Sequence, residues 1–169
     1  MKKILTTAVF MAFGMTMAQA QTPQPADWTI LTFTANANKP AAVTWDRIGG
    51  HDWCGILRFL DRLKGCTIDS GKGEVGSVRT VIVGTTPTVE MAVARTPLSY
   101  TYAQPYTPIF YHGTMGVEPV DATHSRIVYT LMWNQTPVGD TTAQAAAREA
   151  RQKSFQLAVD KMAEVANAP

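Results

Sequence analysis

Arg79 and Glu90 are the residues of this chain whose types and placement most readily suggest chemistry. Arg79 interrupts a run of apolar and small residues, Gly76-Ser77-Val78-Arg79-Thr80-Val81-Ile82-Val83, and Glu90 interrupts the next, Thr88-Val89-Glu90-Met91-Ala92-Val93. A guanidinium and a carboxylate on one face of a hairpin could orient a polar group of a ligand inside an apolar space, where an unpaired charge is costly. A turn closing symmetrically over Gly84-Thr85-Thr86-Pro87 pairs residue 81 with 90 and 79 with 92, so the two share a face as diagonal neighbours. Two orientations stand: a pair turned into a cavity, or an outward surface pair of little energetic value. The first leaves Val89, Met91 and Val93 on the other face and in need of burial elsewhere, which keeps the second open.

Other residue types point to less. Tyr100, Tyr102, Tyr106, Tyr111, Tyr129 and Trp133 supply many aromatics; some are ordinary core, and a hydroxyl inside an apolar cavity offers the placed polar contact a ligand site needs. His51, His112 and His124 lack the spacing of metal ligands. Gly71-Lys72-Gly73-Glu74-Val75-Gly76 spells a G-x-G-x-x-G pattern, but a strand follows it where a dinucleotide site needs a helix N-terminus, so it reads as a hairpin turn. No G-x-S-x-G occurs, and no catalytic residue, metal or cofactor is assigned. Cys54 and Cys66 either form a disulfide, closing a loop for about 3 kcal/mol, or remain two separate buried thiols, since pairing needs α-carbons within about 7 Å.

The elements that must position these residues follow from periodicity. Trp28 to Ala35 alternates as a first strand. A short helix opens at Lys39-Pro40 and runs through Ile48, with proline in its first turn, and Gly49-Gly50 stops it. Trp53, Ile56, Leu57, Leu60 and Leu63 recur at helical spacing, which predicts a second short helix over residues 51–63. Six strands follow: Cys66 to Ile68, Val75 to Val83, Thr88 to Arg95, Ser99 to Ala103, Ile109 to Val117 and Ser125 to Trp133. Their short connections imply an antiparallel meander and exclude a doubly wound fold. One long helix completes the chain, opened by a capping box of Thr141 and Gln144. Ala147, Ala150, Ser154, Phe155, Ala158, Met162 and Val165 share one of its faces, with Arg148, Arg151 and other charged residues on the rest.

Composition narrows the class. Met1-Lys2-Lys3, the apolar run Ile4 to Met17, and Ala18-Gln19-Ala20 have the form of a signal peptide cleaved after Ala20, too short to span a bilayer as a helix. The expected organisation is a signal peptide over 1–20, an extended leader over 21–27 and one domain over 28–169, with no membrane span once the signal is removed and a periplasmic or secreted location. Of 15 basic residues Lys2 and Lys3 would be lost, leaving 13 against 13 acidic ones. So near-neutral a chain has no patch for nucleic acid.

The order of strand, two short helices, six strands and long helix resembles the helix-grip fold of the START-like (SRPBCC) superfamily, in particular its polyketide cyclase/dehydrase-type branch. Trp53, the glycine-rich turn 71–76, the strand Gly76 to Thr80, Glu90, Tyr100, Tyr111-His112-Gly113 and the amphipathic last helix carry the resemblance. It implies an α+β fold in which a seven-stranded antiparallel sheet curls around the C-terminal helix and encloses a hydrophobic cavity. In plant hormone receptors of that superfamily an Arg and a Glu matching Arg79 and Glu90 face the cavity, as does the position matching Tyr111. Gly84 to Pro87 and Gln104 to Pro108 fall where those receptors carry gate and latch loops, although the full loop signatures are absent. The candidate ligand-binding set is Trp53, Arg79, Glu90, Tyr100, Tyr111, Ser154 and Ala158. The expected function is an exported protein holding an apolar or amphipathic small molecule. The alternatives are a cyclase or dehydratase using Arg79, Glu90, Tyr111 or His112, and an interaction module whose outer sheet face meets a partner. Oligomeric state is left open.

Overall fold

The computed structural model describes residues 27–169. The expected signal peptide and all but Asp27 of the expected leader lie outside the described residues. Seven strands form one antiparallel sheet: β1 (Trp28–Ala37), β2 (Leu63–Ser70), β3 (Val78–Val83), β4 (Thr86–Thr96), β5 (Ser99–Ala103), β6 (His112–Pro119) and β7 (Ser125–Asn134). Their spatial order is β1-β7-β6-β5-β4-β3-β2. The last six strands are therefore a meander, and the first is added to its far edge beside β7. A short helix α1 (Ala41–Arg47) and a 3-10 turn (Gly55–Phe59) separate β1 from β2, and the long helix α2 (Thr141–Asn167) closes the chain. Among the described residues no helix is long and apolar enough to cross a membrane.

Alternation in the strands sets the faces. Phe33 and Ala37 of β1, Met115 and Val117 of β6, and Ile127, Tyr129, Leu131 and Trp133 of β7 point inward and are buried. They meet Ala158, Val159, Met162 and Ala166 of α2 in one core with Trp45 and Ile48. The buried stripe of α2 is thus rotated from the expected one, with Val159 and Ala166 inside and Val165 exposed. Only the C-terminal half of the helix lies in the solid core; from Ala147 to Gln156 no α2 residue is fully buried. The helix also starts with a different cap. Asp140 is the N-cap and accepts from the Ala143 amide at 2.9 Å, while the Gln144 side chain donates to the Gly139 carbonyl at 3.0 Å. An aspartate cap satisfies an otherwise unpaired amide as a threonine would have done.

The predicted second helix is the largest departure. Residues 51–62 form turns around a five-residue 3-10 segment and Leu63 already belongs to β2; in that segment the Leu57 amide bonds the Cys54 carbonyl at 3.2 Å. An α-helix would have used the Trp53 carbonyl there, but that oxygen accepts from Nη1 of Arg79. Cys54 is also tied to Cys66 of β2 by a disulfide, with α-carbons 5.9 Å apart, so the separate-thiol alternative falls away. Of the expected stripe, Trp53, Ile56 and Leu57 are still buried, joined by Phe59, while Leu60 and Leu63 are only half-buried, because a 3-10 turn presents neighbouring residues to the core at a tighter spacing than an α-turn does.

The glycine-rich stretch is the β2–β3 turn, as its sequence predicts. Gly71, Gly73 and Gly76 have φ of 73°, 103° and 91°, values that only glycine adopts freely. At Gly73 a Cβ would stand 2.6 Å from Arg95 Nη1.

Candidate functional site

The β3–β4 hairpin builds one wall of the site. Its turn is tighter than the sequence suggests: Val83 pairs with Thr86 across Gly84-Thr85 alone, and Gly84 takes the φ of 68° that such a turn requires. Thr86 and Pro87 consequently belong to β4, and no gate-like loop exists at this place. The shorter turn moves the register, so Arg79 lies directly opposite Glu90 instead of diagonal to it. Arg79, Val81 and Val83 point inward with Thr88, Glu90 and Ala92, while Val89 and Met91 are half-buried and Val93 exposed on the outer face. The outward surface pair is thereby excluded.

The guanidinium of Arg79 is wholly buried and Glu90 is 4% exposed. Arg79 Nε and Nη2 both donate to Glu90 Oε2, at 2.9 and 2.6 Å, and Nη1 donates to the Trp53 carbonyl. Oε1 of Glu90 is left for the Gln104 side-chain amide, which donates to it at 3.0 Å. The Arg79 guanidinium carbon lies 4.0 Å from the Trp53 ring centre, 5.3 Å from that of Tyr102 and 5.7 Å from that of Tyr100. Burial works against the charge on Arg79, but Glu90 and the surrounding rings outweigh it and raise its pKa. A cation held over aromatic faces and by a buried carboxylate has its desolvation cost offset.

In front of this pair, between the inner face of β3 to β5, the segment that follows β5, and the N-terminal half of α2, lies a cavity of about 350 Å³. Its apolar walls come from Leu57 and Leu60 of the 3-10 region, Val81 and Val83 of β3, Ile109, and Ala150 and Phe155 of α2. Polar groups enter it from Glu90, Gln104, Tyr102, Tyr111, Ser154, Arg151 and Arg62. The Tyr102 hydroxyl is 3.0 Å from that of Tyr129. Burial pushes the hydroxyl of Tyr111 up, with Arg151 pulling it partly back; burial also raises Tyr102, reinforced by Tyr111 and Tyr129. Both phenols therefore stay neutral hydrogen-bonding groups. The guanidinium of Arg151 lies 4.6 Å from the Trp133 ring centre and 5.7 Å from that of Tyr111.

The candidate residues separate into two layers. Glu90, Tyr111 and Ser154 stand in the cavity wall. Arg79, Trp53 and Tyr100 lie in the core instead of lining the space: Arg79 holds the Glu90 carboxylate, and the two rings flank Arg79. Ala158, one helical turn past Ser154, is packed in the solid core. His112 projects to the outer side of β6, with its ring Nδ1 2.6 Å from the Phe110 carbonyl, so it takes no part in the site. His51 and His124 pair with Asp46 and Asp121 at the surface, and no cluster of metal-ligating residues occurs among the described residues. Gln104 and Arg151 were not among the expected site residues. Arg151 shares a helix face with Ala147, Ser154 and Ala158, a spacing readable in the sequence, but its charge places it with the solvent residues on first reading. Gln104 opens the stretch to Pro108 that the resemblance sets at a latch loop, but nothing in its own residue type or spacing marks it as a partner of Glu90.

No curated protein sequence matches the chain. Solved structures do share its fold. An aromatase/cyclase from a Streptomyces species is 16% identical, with 83% of this chain and 94% of that one covered and a TM-score of 0.66. A protein from Thermus thermophilus is 12% identical, with 82% and 97% covered and a TM-score of 0.64. A solution structure from Thermobifida fusca is 18% identical, with 83% and 97% covered and a TM-score of 0.62. At these identities the likeness concerns the helix-grip fold. The sequence model of one family matches residues 29–167, from the first strand to the end of α2, and the chain belongs to that family, described as polyketide cyclase/dehydrase and lipid transport.

Proposed function

We propose that this protein is an exported binder that holds an apolar or amphipathic small molecule between the sheet and the N-terminal half of α2. The observation that carries the reading is the cavity itself: about 350 Å³, walled by aliphatic side chains, with a few polar groups converging on Glu90 and Tyr111. That volume lies in the range of small-molecule sites, which combine apolar walls with a small number of placed polar contacts. The family description, which includes lipid transport, agrees with it. Export is supported by the form of residues 1–20 and by a disulfide, which persists in oxidising compartments.

The enzyme alternative is a cyclase or dehydratase acting in the same cavity, and the same family description supports it. Such a reaction needs a group that exchanges a proton near neutral pH. Burial moves Tyr102 and Tyr111 away from that range, and both oxygens of Glu90 already receive protein N–H groups. The arrangement suits holding better than proton transfer.

Native mass spectrometry on protein taken from the cell envelope tests the reading. A co-purifying lipid-like mass, released on denaturation, is the expected result. Protein that is empty and fails to take up the neutral dye Nile red overturns it. Turnover of an aromatic polyketide mimic that is lost in Glu90→Gln or Tyr111→Phe would replace it with the enzyme.

A further inference from the structure

We propose that the guest of this cavity is a monoanionic amphiphile, a carboxylate on an apolar body, whose head is met by Arg151 and Arg62. This deepens the binding function proposed above and rests on it.

The charge balance of the wall carries the inference. Glu90, the acidic residue of the lining, is matched by Arg79 behind it at 2.6 Å. Arg62 and Arg151 also line the space, and neither makes an ion pair with a described acidic residue. The carboxylates nearest to them in sequence are engaged elsewhere, Asp61 with Lys161 and Glu149 with Lys153. Three guanidiniums less one carboxylate leave an excess of two positive charges around a cavity whose other walls are mainly aliphatic and aromatic. A neutral guest leaves that excess unanswered, and a cationic one adds to it.

The geometry of Arg151 fits an anion-binding role. Its guanidinium lies over Trp133 and Tyr111, and one N–H is spent on the Ala147 carbonyl at 3.1 Å. The guanidinium carbon is thus flanked by two aromatic rings, and N–H groups beyond the one bonded to Ala147 remain to donate. A carboxylate is the group that a guanidinium edge meets with two parallel hydrogen bonds. The neutral hydroxyl of Tyr111 stands beside it as a further donor. Glu90, paired with Arg79 and bonded by Gln104, offers an anionic head no donor, which leaves Arg151 and Arg62 to receive it.

The test compares octanoate, octanol and octylammonium as competitors of Nile red at pH 8. For the wild-type protein octanoate should displace the dye about tenfold or more tightly than octanol, the size of a charge-assisted hydrogen bond, with octylammonium weakest. Arg151→Gln and Arg62→Gln together should bring octanoate to the level of octanol measured on the same variant. Added salt should weaken octanoate alone. Equal wild-type affinity for octanoate and octanol overturns the inference while leaving the binding function intact, and needs no variant to be folded. A preference that survives the double substitution overturns it too. Failure of Nile red to bind at all removes the binding function and this inference with it.

Discussion

Arg79 and Glu90 face one another across the β3–β4 hairpin and share a single oxygen, Oε2, through two donated hydrogen bonds of 2.9 and 2.6 Å. Glu90 alone reaches the cavity. The arginine is the fixed support of the wall and the glutamate is its surface.

Removing that support should cost stability before it costs binding. Arg79→Ala leaves a buried carboxylate unpaired and an emptied cage between Trp53 and Tyr100, so it should lower unfolding free energy by about 3–5 kcal/mol. Arg79→Met with Glu90→Leu, which removes both charges and retains volume, should recover most of the loss. Urea denaturation of the two variants checks this, and equal destabilisation of both would contradict the role given to the pair.

The disulfide joins the segment carrying Trp53 to β2. Cys54→Ser with Cys66→Ser should therefore destabilise the domain by about 3 kcal/mol. The intact mass of the unreduced protein should show no thiol open to alkylation. Two alkylated cysteines without reductant would contradict the bond.

Filling the cavity should abolish binding and leave the fold alone. Ser154 faces the space from α2 without being in the solid core, so Ser154→Phe has room to place its ring there. Nile red affinity should fall more than about tenfold, equivalent to 1.4 kcal/mol, with an unchanged or higher Tm. Undiminished dye binding would put the ligand elsewhere.

Asp121 in the β6–β7 turn gives the acid side of the stability profile. The Thr123 amide and the His124 side chain are the leading causes that hold its carboxyl down to about 2, from an ordinary value of 3.8. A depressed folded pKa stabilises the fold above the unfolded value and ceases to do so as pH falls through the folded one. Asp121→Asn should thus be the less stable protein at pH 6, and the difference should shrink between about pH 4 and pH 2. Equal urea midpoints at pH 6 would contradict the assignment.

The meander and the final helix were legible in the sequence because alternation and the Gly, Pro and Asp signals agree along Ser99 to Ala103 and Ser125 to Trp133. The second helix was not, since helical spacing through Trp53, Ile56, Leu57 and Leu60 cannot reveal that Arg79 takes the Trp53 carbonyl. The Arg79–Glu90 pairing was visible as a shared face, but the register depended on whether Thr86-Pro87 turn or extend, and proline at a strand start allows both. Glu90, Tyr111 and Ser154 reach the cavity wall. Trp53, Tyr100 and Ala158 carry the same apolar signature yet lie deeper, because periodicity distinguishes inside from outside and not wall from core. Arg151 went unrecognised for the opposite reason: its charge argued for solvent, while the structure rests it on Trp133.

β1 adds to the sheet beside β7, so the earliest described strand cannot be zipped into place until the latest has been made. Contacts so remote along the chain are slow to form, since loop closure precedes any gain from them. During synthesis the hairpins from β2 to β7 can assemble as they emerge, while Trp28 to Ala37 waits. A ribosome-bound chain that stops short of Thr141 lacks the helix that covers the inner face of the sheet, and the chamber closes only once α2 has emerged.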